Sequence, residues 1–235
     1  MLIQAKLLSQ KANKLIYELM DTLNYKILAS GSSGNCVILD NRIAVDCGVP
    51  YKTIKPYEDS LQIILLTHCH LDHYNKQTIK KLQFNRPSLR IGCSAHDAEI
   101  LKSDGLKNID VFDCFVGHCY HYHNFEINSF KLYHDVETIG FRINFYKYKV
   151  FFATDTVTLD GIEAKDYTHY FIEANFDEDT ILDKIYEKRE QGEFVHNIGS
   201  LNSHLSMQQA HDFVLRNVSA GHKYEFIPLH ISKEF

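Results

Sequence analysis

Directly behind an apolar run at residues 61–66 the chain reads Thr67-His68-Cys69-His70-Leu71-Asp72-His73, which puts three imidazoles and a carboxylate within six residues. Side chains so close in sequence converge on one point only if the chain turns sharply as it leaves a strand. Converging nitrogen and oxygen donors are what one or two Zn²⁺ ions require. The bland alternative is a polar loop, and four ligand-type residues in HxHxDH order at the exit of a buried strand argue against it. The wider composition agrees, since 14 histidines is a high number for 235 residues, while tryptophan is absent.

Around this motif the periodicities describe a sheet-rich α/β domain with two groups of strands. Strands are predicted at 25–29, 35–39, 42–45 and 61–67, separated by the turn signals Gly31-Ser-Ser-Gly34 and Asp40-Asn41. Helices are expected at 76–83 and 95–102. Residues 125–134 alternate, with Phe125, Ile127, Ser129, Lys131 and Tyr133 on one face. Further strands are expected at 138–145, 149–153 and 169–172, and a helix at 180–189. Ser206 followed by Gln209 forms a capping box that opens a helix running to about residue 218, and a last strand at 224–229 delivers His230. Residues 5–23 carry apolar side chains at spacings of three and four, the period of an amphipathic helix that would pack on the body or on a second copy. The expected organisation is therefore an appended helix at 1–23 and one domain at 24–235, with a homodimer allowed.

In this sequence the motif and its companions resemble the metallo-β-lactamase superfamily. Asp46 in "IAVDCG", His134 in "FKLYHDVETIGFRI", Asp155 in "VFFATDT" and His230 in "IPLHIS" follow HxHxDH in the family's order. The resemblance runs from about residue 25 to the C-terminus and implies a four-layer αββα sandwich with metals at one edge of the two sheets. A flavodiiron protein would carry Glu in place of His70, and a class B1 lactamase Arg in place of His73. Glyoxalase II types follow the motif with a glycine pair, where Tyr74-Asn75 stands here. "LASGSSGNC", "EANFD" around Glu173, "SHLS" around His204 and the terminal "LHIS" are similar to the YycJ/WalJ-type nuclease-like branch and, more distantly, to ribonuclease Z. The branch's usual glycine before His204 is Ser203, and the chain ends five residues after His230.

The resemblance implies a ligand set. His68, His70 and His134 would hold one Zn²⁺, and Asp72, His73 and His230 the other, with Asp155 bridging; Mn²⁺ is an alternative metal. Two such ions can share a hydroxide and clamp both the attacking and leaving oxygens of an in-line displacement at phosphorus. Asp72 could also accept a proton from the nucleophile. His204 would contact the phosphate or protonate the leaving oxygen, and Glu173 would orient and charge His204. The expected function is a dinuclear phosphodiesterase acting on nucleic acid. A cyclic-nucleotide phosphodiesterase is the alternative, and a thioester hydrolase or a catalytically idle binding protein are weaker ones.

Composition narrows the setting. A net charge of −5 argues against a protein that grips nucleic acid through a broad basic surface, so a polyanionic substrate needs local help, and the acidity favours a small substrate. Six cysteines without CxxC pairs, and no export signal, predict reduced thiols in a cytoplasmic setting with no membrane partner. His118, Cys119, His121 and His123 form a local cluster, but alternation along an extended segment does not by itself imply tetrahedral convergence. His96, His169, His196, His211 and His222 match no landmark and are assigned capping, surface or core roles.

Overall fold

A computed structural model describes residues 22–114, 118–190 and 203–232. The expected opening helix, apart from its last residues, and His196 lie outside the described residues. Strands β1 (Tyr25–Ala29), β2 (Cys36–Leu39), β3 (Ile43–Val45), β4 (Ile63–Leu65), β5 (Arg90–Cys93) and β6 (Ile109–Val111) form one sheet in sequential order. Strands β7 (Tyr120–His121), β8 (Phe125–Tyr133), β9 (Glu137–Phe145), β10 (Lys149–Ala153), β11 (His169–Glu173) and β12 (Glu225–Leu229) form the other, again in sequential order. Each sheet is mixed. The first is antiparallel through β3 and parallel from β3 to β6; the second is antiparallel through β10 and parallel from β10 to β12.

Parallel neighbours need long crossovers, and these supply the helices. After a short turn of helix, α1 (Tyr51–Ile54), come α2 (Lys76–Asn85) and α3 (Ala95–Ser103), then α4 (Glu178–Glu190) and α5 (Met207–Asn217). Strands covered on both faces read as continuous apolar runs, and successive residues divide between two cores. Ile43, Val45, Ile63 and Leu65 point between the sheets, where they meet Phe141, Phe152, Phe171 and Ile227. Ala44 and Ile64 point outward, under Ile79 and Leu82 of α2 and Ala98 and Leu101 of α3. On the far side, Phe151, Tyr170 and Ile172 point outward beneath Ala210, Phe213 and Val214 of α5. The result is the four-layer αββα sandwich.

Strand β8 refines the sequence-based picture of a single face. Phe125 and Ile127 enter the core between the sheets, but Lys131 and Tyr133, on the same side of the pleat, are exposed. Burial there passes to the other side, where Phe130 and Leu132 pack outward. Strands β5, β6 and β7 and helix α1, two to four residues long, were not anticipated; β2 to β4 are as short but are marked by the turn signals at 31–34 and 40–41 and by the apolar run at 61–66. All six cysteines are free thiols. Among the described residues no helix is long and apolar enough to cross a membrane.

Candidate metal centre

The centre lies at the seam where strands of both sheets end. From the first sheet, the loop after β4 carries His68 to His73 and is folded back on itself: the backbone N–H groups of His73 and Tyr74 both donate to the carbonyl of His70, at 2.9 and 2.8 Å. Neighbouring loops clamp it. Asn35 N donates to Asp72 O (2.6 Å) and Cys47 N to His73 O (2.8 Å). The approach is so close that a Cβ on Gly48 would sit 1.7 Å from the Asp72 carbonyl oxygen, so only glycine fits. From the second sheet come His134 after β8, Asp155 after β10, Glu173 ending β11 and His230 after β12. Asp46, Asp155 and His230 adopt left-handed backbone conformations with φ of 59°, 51° and 53°. Such strain in non-glycine residues gathers where loops must aim side chains.

The structure brings together all seven expected ligands. His68 Nε2 lies 3.0 Å from His70 Nδ1, and the His134 ring centroid is 5.4 Å from each of those two rings. His73 Nε2 is 3.4 Å from Asp72 Oδ2, and His230 Nε2 is 3.9 Å from the same oxygen. Asp155 Oδ2 stands between the sets, 3.8 Å from His68 Nε2 and 2.5 Å from His73 Nε2. A divalent cation fits this arrangement. Both Asp155 oxygens, His134 Nδ1 and His230 Nε2 are buried without a hydrogen-bond partner, although nitrogens crowd the carboxylate. Buried polar atoms are otherwise nearly always paired. The donors are imidazole and carboxylate throughout, a set suited to Zn²⁺ or Mn²⁺.

A surrounding layer fixes the rings. Asp46 Oδ2 accepts from His73 Nδ1 (2.8 Å) and also takes the Thr67 hydroxyl (3.0 Å), while the other oxygen accepts from Thr67 N (2.8 Å). The Thr67 oxygen lies 3.0 Å from His68 Nδ1. Since its hydrogen goes to Asp46, Nδ1 of His68 is the donor there and Nε2 keeps its lone pair for a metal. Burial, reinforced by the neighbouring imidazoles, pushes His68 down to about 2, which keeps it neutral. Burial also pulls on His73 and His230, but carboxylates win: Asp155 and Asp46 raise His73 well above its ordinary value, and Asp155 and Glu173 lift His230 to about 10. Burial would raise Asp155, yet His73 and His230 hold it well below the usual carboxylate range.

His204 and Glu173 adjoin this set. His204 Nδ1 makes a very short contact with Glu173 Oε1 and lies 3.5 Å from Asp155 Oδ1. Glu173 is fully engaged by the protein, because Oε1 also meets His230 Nδ1 (3.1 Å) and Oε2 accepts from Thr156 N (2.9 Å). Burial opposes the charge on His204, but its bond to Glu173 raises it above the ordinary histidine value. Beside His134 and Ser203 opens a cleft of about 750 Å³ whose lining includes Lys131, Tyr133, Asp135 and Val157.

Several participants lie inside the quoted motifs but were given no role from the sequence. Asn35 Nδ2 lies 3.1 Å from Asp72 Oδ2 and 2.9 Å from His73 Nε2, so the Gly31–Gly34 turn is tied to the centre through the residue that follows it. Asn175 Nδ2 donates to His230 O (2.9 Å), and the Ser30 hydroxyl accepts from His230 N (2.6 Å). Asp135 brings a carboxylate 3.0 Å from His134 Nε2. Away from the centre, Cys119 and His121 meet Glu126.

Comparison with known proteins agrees with this fold. The fold is similar to a metallo-β-lactamase-fold protein, YhfI, from Bacillus subtilis, at 17% identity and TM-score 0.67 over 89% of this chain and 86% of that one. It is similar to human tRNase Z, short form, at 15% identity and TM-score 0.64 over 89% and 92% of the two chains. A diphosphatase of the PhnP family shares 13% identity, with TM-score 0.62 over 91% and 89%. No curated protein sequence is a significant match to the chain. Residues 41–231, most of the sequence and all of the proposed ligands, match the β-lactamase superfamily domain, and the chain belongs to that family.

Proposed function

We propose that the protein is a dinuclear metal-dependent phosphodiesterase that hydrolyses nucleic acid, akin to the YycJ/WalJ-type nuclease branch. The observation that carries this reading is one carboxylate oxygen, Asp155 Oδ2, standing between two sets of imidazole and carboxylate donors, with the His204–Glu173 pair at their border. Divalent ions held by these residues would supply Lewis acidity, lower the pKa of water and neutralise phosphate charge. The chain's own groups divide the remaining work. Asp72 is held below the ordinary carboxylate value: burial opposes this, but His73 prevails, so Asp72 is ionised and can accept a proton from an attacking water. Glu173 is a positioning residue that keeps His204 protonated, and His204 gives that proton to the leaving oxygen. Fold neighbours named as a tRNase Z and a diphosphatase support chemistry at phosphorus.

The cleft favours a second reading. At about 750 Å³ it falls in the range of small-molecule sites, and its lining sets the exposed Tyr133 and Lys131 beside the carboxylates of Asp135 and Glu137, which gives room for a cyclic nucleotide whose phosphate charge the metal ions would offset. A panel of single-stranded DNA, duplex DNA, structured RNA and cyclic nucleotides, assayed with Zn²⁺ and with Mn²⁺, separates the two. Cleavage of a polynucleotide that is lost in Asp155→Ala is expected. Turnover of cyclic nucleotides alone would favour the second reading, and activity on thioesters or β-lactams alone would overturn both.

A further inference from the structure

The edge of the second sheet holds another convergence of metal-ligating side chains. Strand β7 pairs antiparallel with β8 in a register that sets His121 opposite Glu126 and Tyr120 opposite Ile127. Cys119, two residues before His121, falls on the same side of the pleat. His121 Nδ1 lies 3.0 Å from Glu126 Oε1, and Cys119 Sγ lies 4.0 Å from Glu126 Oε2. Donor atoms of the three lie within 4.8 Å of one another. Two ligands of a tetrahedral zinc, with bonds of about 2.0–2.3 Å, stand about 3.3–3.6 Å apart, so the observed separations bracket what an ion needs.

The backbone beneath is held independently of these three side chains. Tyr120 faces the opposite side and packs edge-on against Phe112, with ring centroids 4.4 Å apart. Its hydroxyl donates to Val111 O (3.0 Å) and accepts from Asp113 N (2.9 Å). Asn128 Nδ2 donates to the carbonyl of His118. A thiolate and a carboxylate balance the charge of a divalent cation, and a sulfur donor beside imidazole selects zinc over the harder cations.

We propose that Cys119, His121 and Glu126 form a separate mononuclear Zn²⁺ site, completed by water, which ties the two-residue edge strand β7 to β8. A thiolate is required as the ligand, so zinc displaces the Cys119 proton on binding.

Sulfur makes the site distinguishable from the nitrogen–oxygen centre. The full-length chain is titrated with Co²⁺, and thiolate-to-cobalt charge-transfer absorption in the near ultraviolet is recorded for the wild type, Cys119→Ser and His121→Ala. The expected result is a band in the wild type that is absent in Cys119→Ser and weakened in His121→Ala, while bound zinc falls by one equivalent per chain in Cys119→Ser and the remaining metal is retained. Circular dichroism checks that each variant is folded, and Glu126→Gln supplies a third if one is not. No band in the wild type, as for a simple His121–Glu126 ion pair, or a band that survives in folded Cys119→Ser, would overturn the assignment.

Discussion

At His204 the decisive detail is which partner takes Nδ1. Bound to Glu173, that nitrogen is committed to the protein, and in the proposed mechanism the ring would serve as an acid beside the metal donors. His204→Ala is therefore expected to keep its metal content while losing 10²–10⁴-fold in rate, the usual span of general acid–base help. Glu173→Gln should cost less, combine non-additively with His204→Ala, and move the alkaline limb of the pH–rate profile to lower pH. The sign follows from the carboxylate: it raises His204, so removing its charge lets the acid form titrate away earlier. Metal analysis with pH-dependent kinetics checks this, and loss of metal in His204→Ala would make that residue a ligand. At this scale the sequence was legible where chemistry is concentrated, as in His68 to His73, or where family landmarks recur, as at Asp155 and His230. Asn35, Asn175 and Ser30 stand in motifs that the resemblance singled out, yet their bracing role was not legible, because an amide or hydroxyl in a loop looks the same whether it braces a metal ligand or faces water.

Elements followed the same rule. Patterns that repeat over a turn of helix or several strand residues gave α2, α3, α5 and the strands β8 to β10, and the capping box at Ser206 and Gln209 is present with both of its hydrogen bonds. Short strands were readable where turn signals or an apolar run marked them, as for β2, β3 and β4, whereas β5 and β7 have too few alternations and no such marker. Helix α3 hides a cost that sequence does not announce. Asp97 in its first turn is 2% exposed, has an oxygen with no partner, and is pushed up to about 6 by burial. Because the folded state holds this proton more tightly than the unfolded chain, its contribution is most favourable below about pH 4 and declines as pH rises to about 6, by up to about 3 kcal/mol. Asp97→Asn should gain stability relative to the wild type at pH 7 and show no such gain at pH 4. Urea midpoints of both proteins at the two values test this, and an equal effect at both would exclude charge burial as the cause.

For the molecule as a whole, every proposed ligand and each residue bracing it lies between Ser30 and His230. Removing residues 1–21 while keeping the buried Leu23 should therefore leave metal per folded chain and rate per site unchanged, and alter association or solubility instead. Metal analysis and light scattering on the truncated chain decide it; loss of metal from a folded truncation would join that segment to the centre. The two-sheet architecture was readable because each strand group announces itself, whereas the meeting of loops at the seam depends on contacts between residues far apart in sequence. That seam has a consequence for how activity arises during synthesis. The first half of the chain contributes four of the proposed ligands and the second half three, among them Asp155, the carboxylate proposed to be shared. A partly made or half-folded chain thus presents only an incomplete donor set, and hydrolytic competence becomes a report that both halves have been made and have found each other.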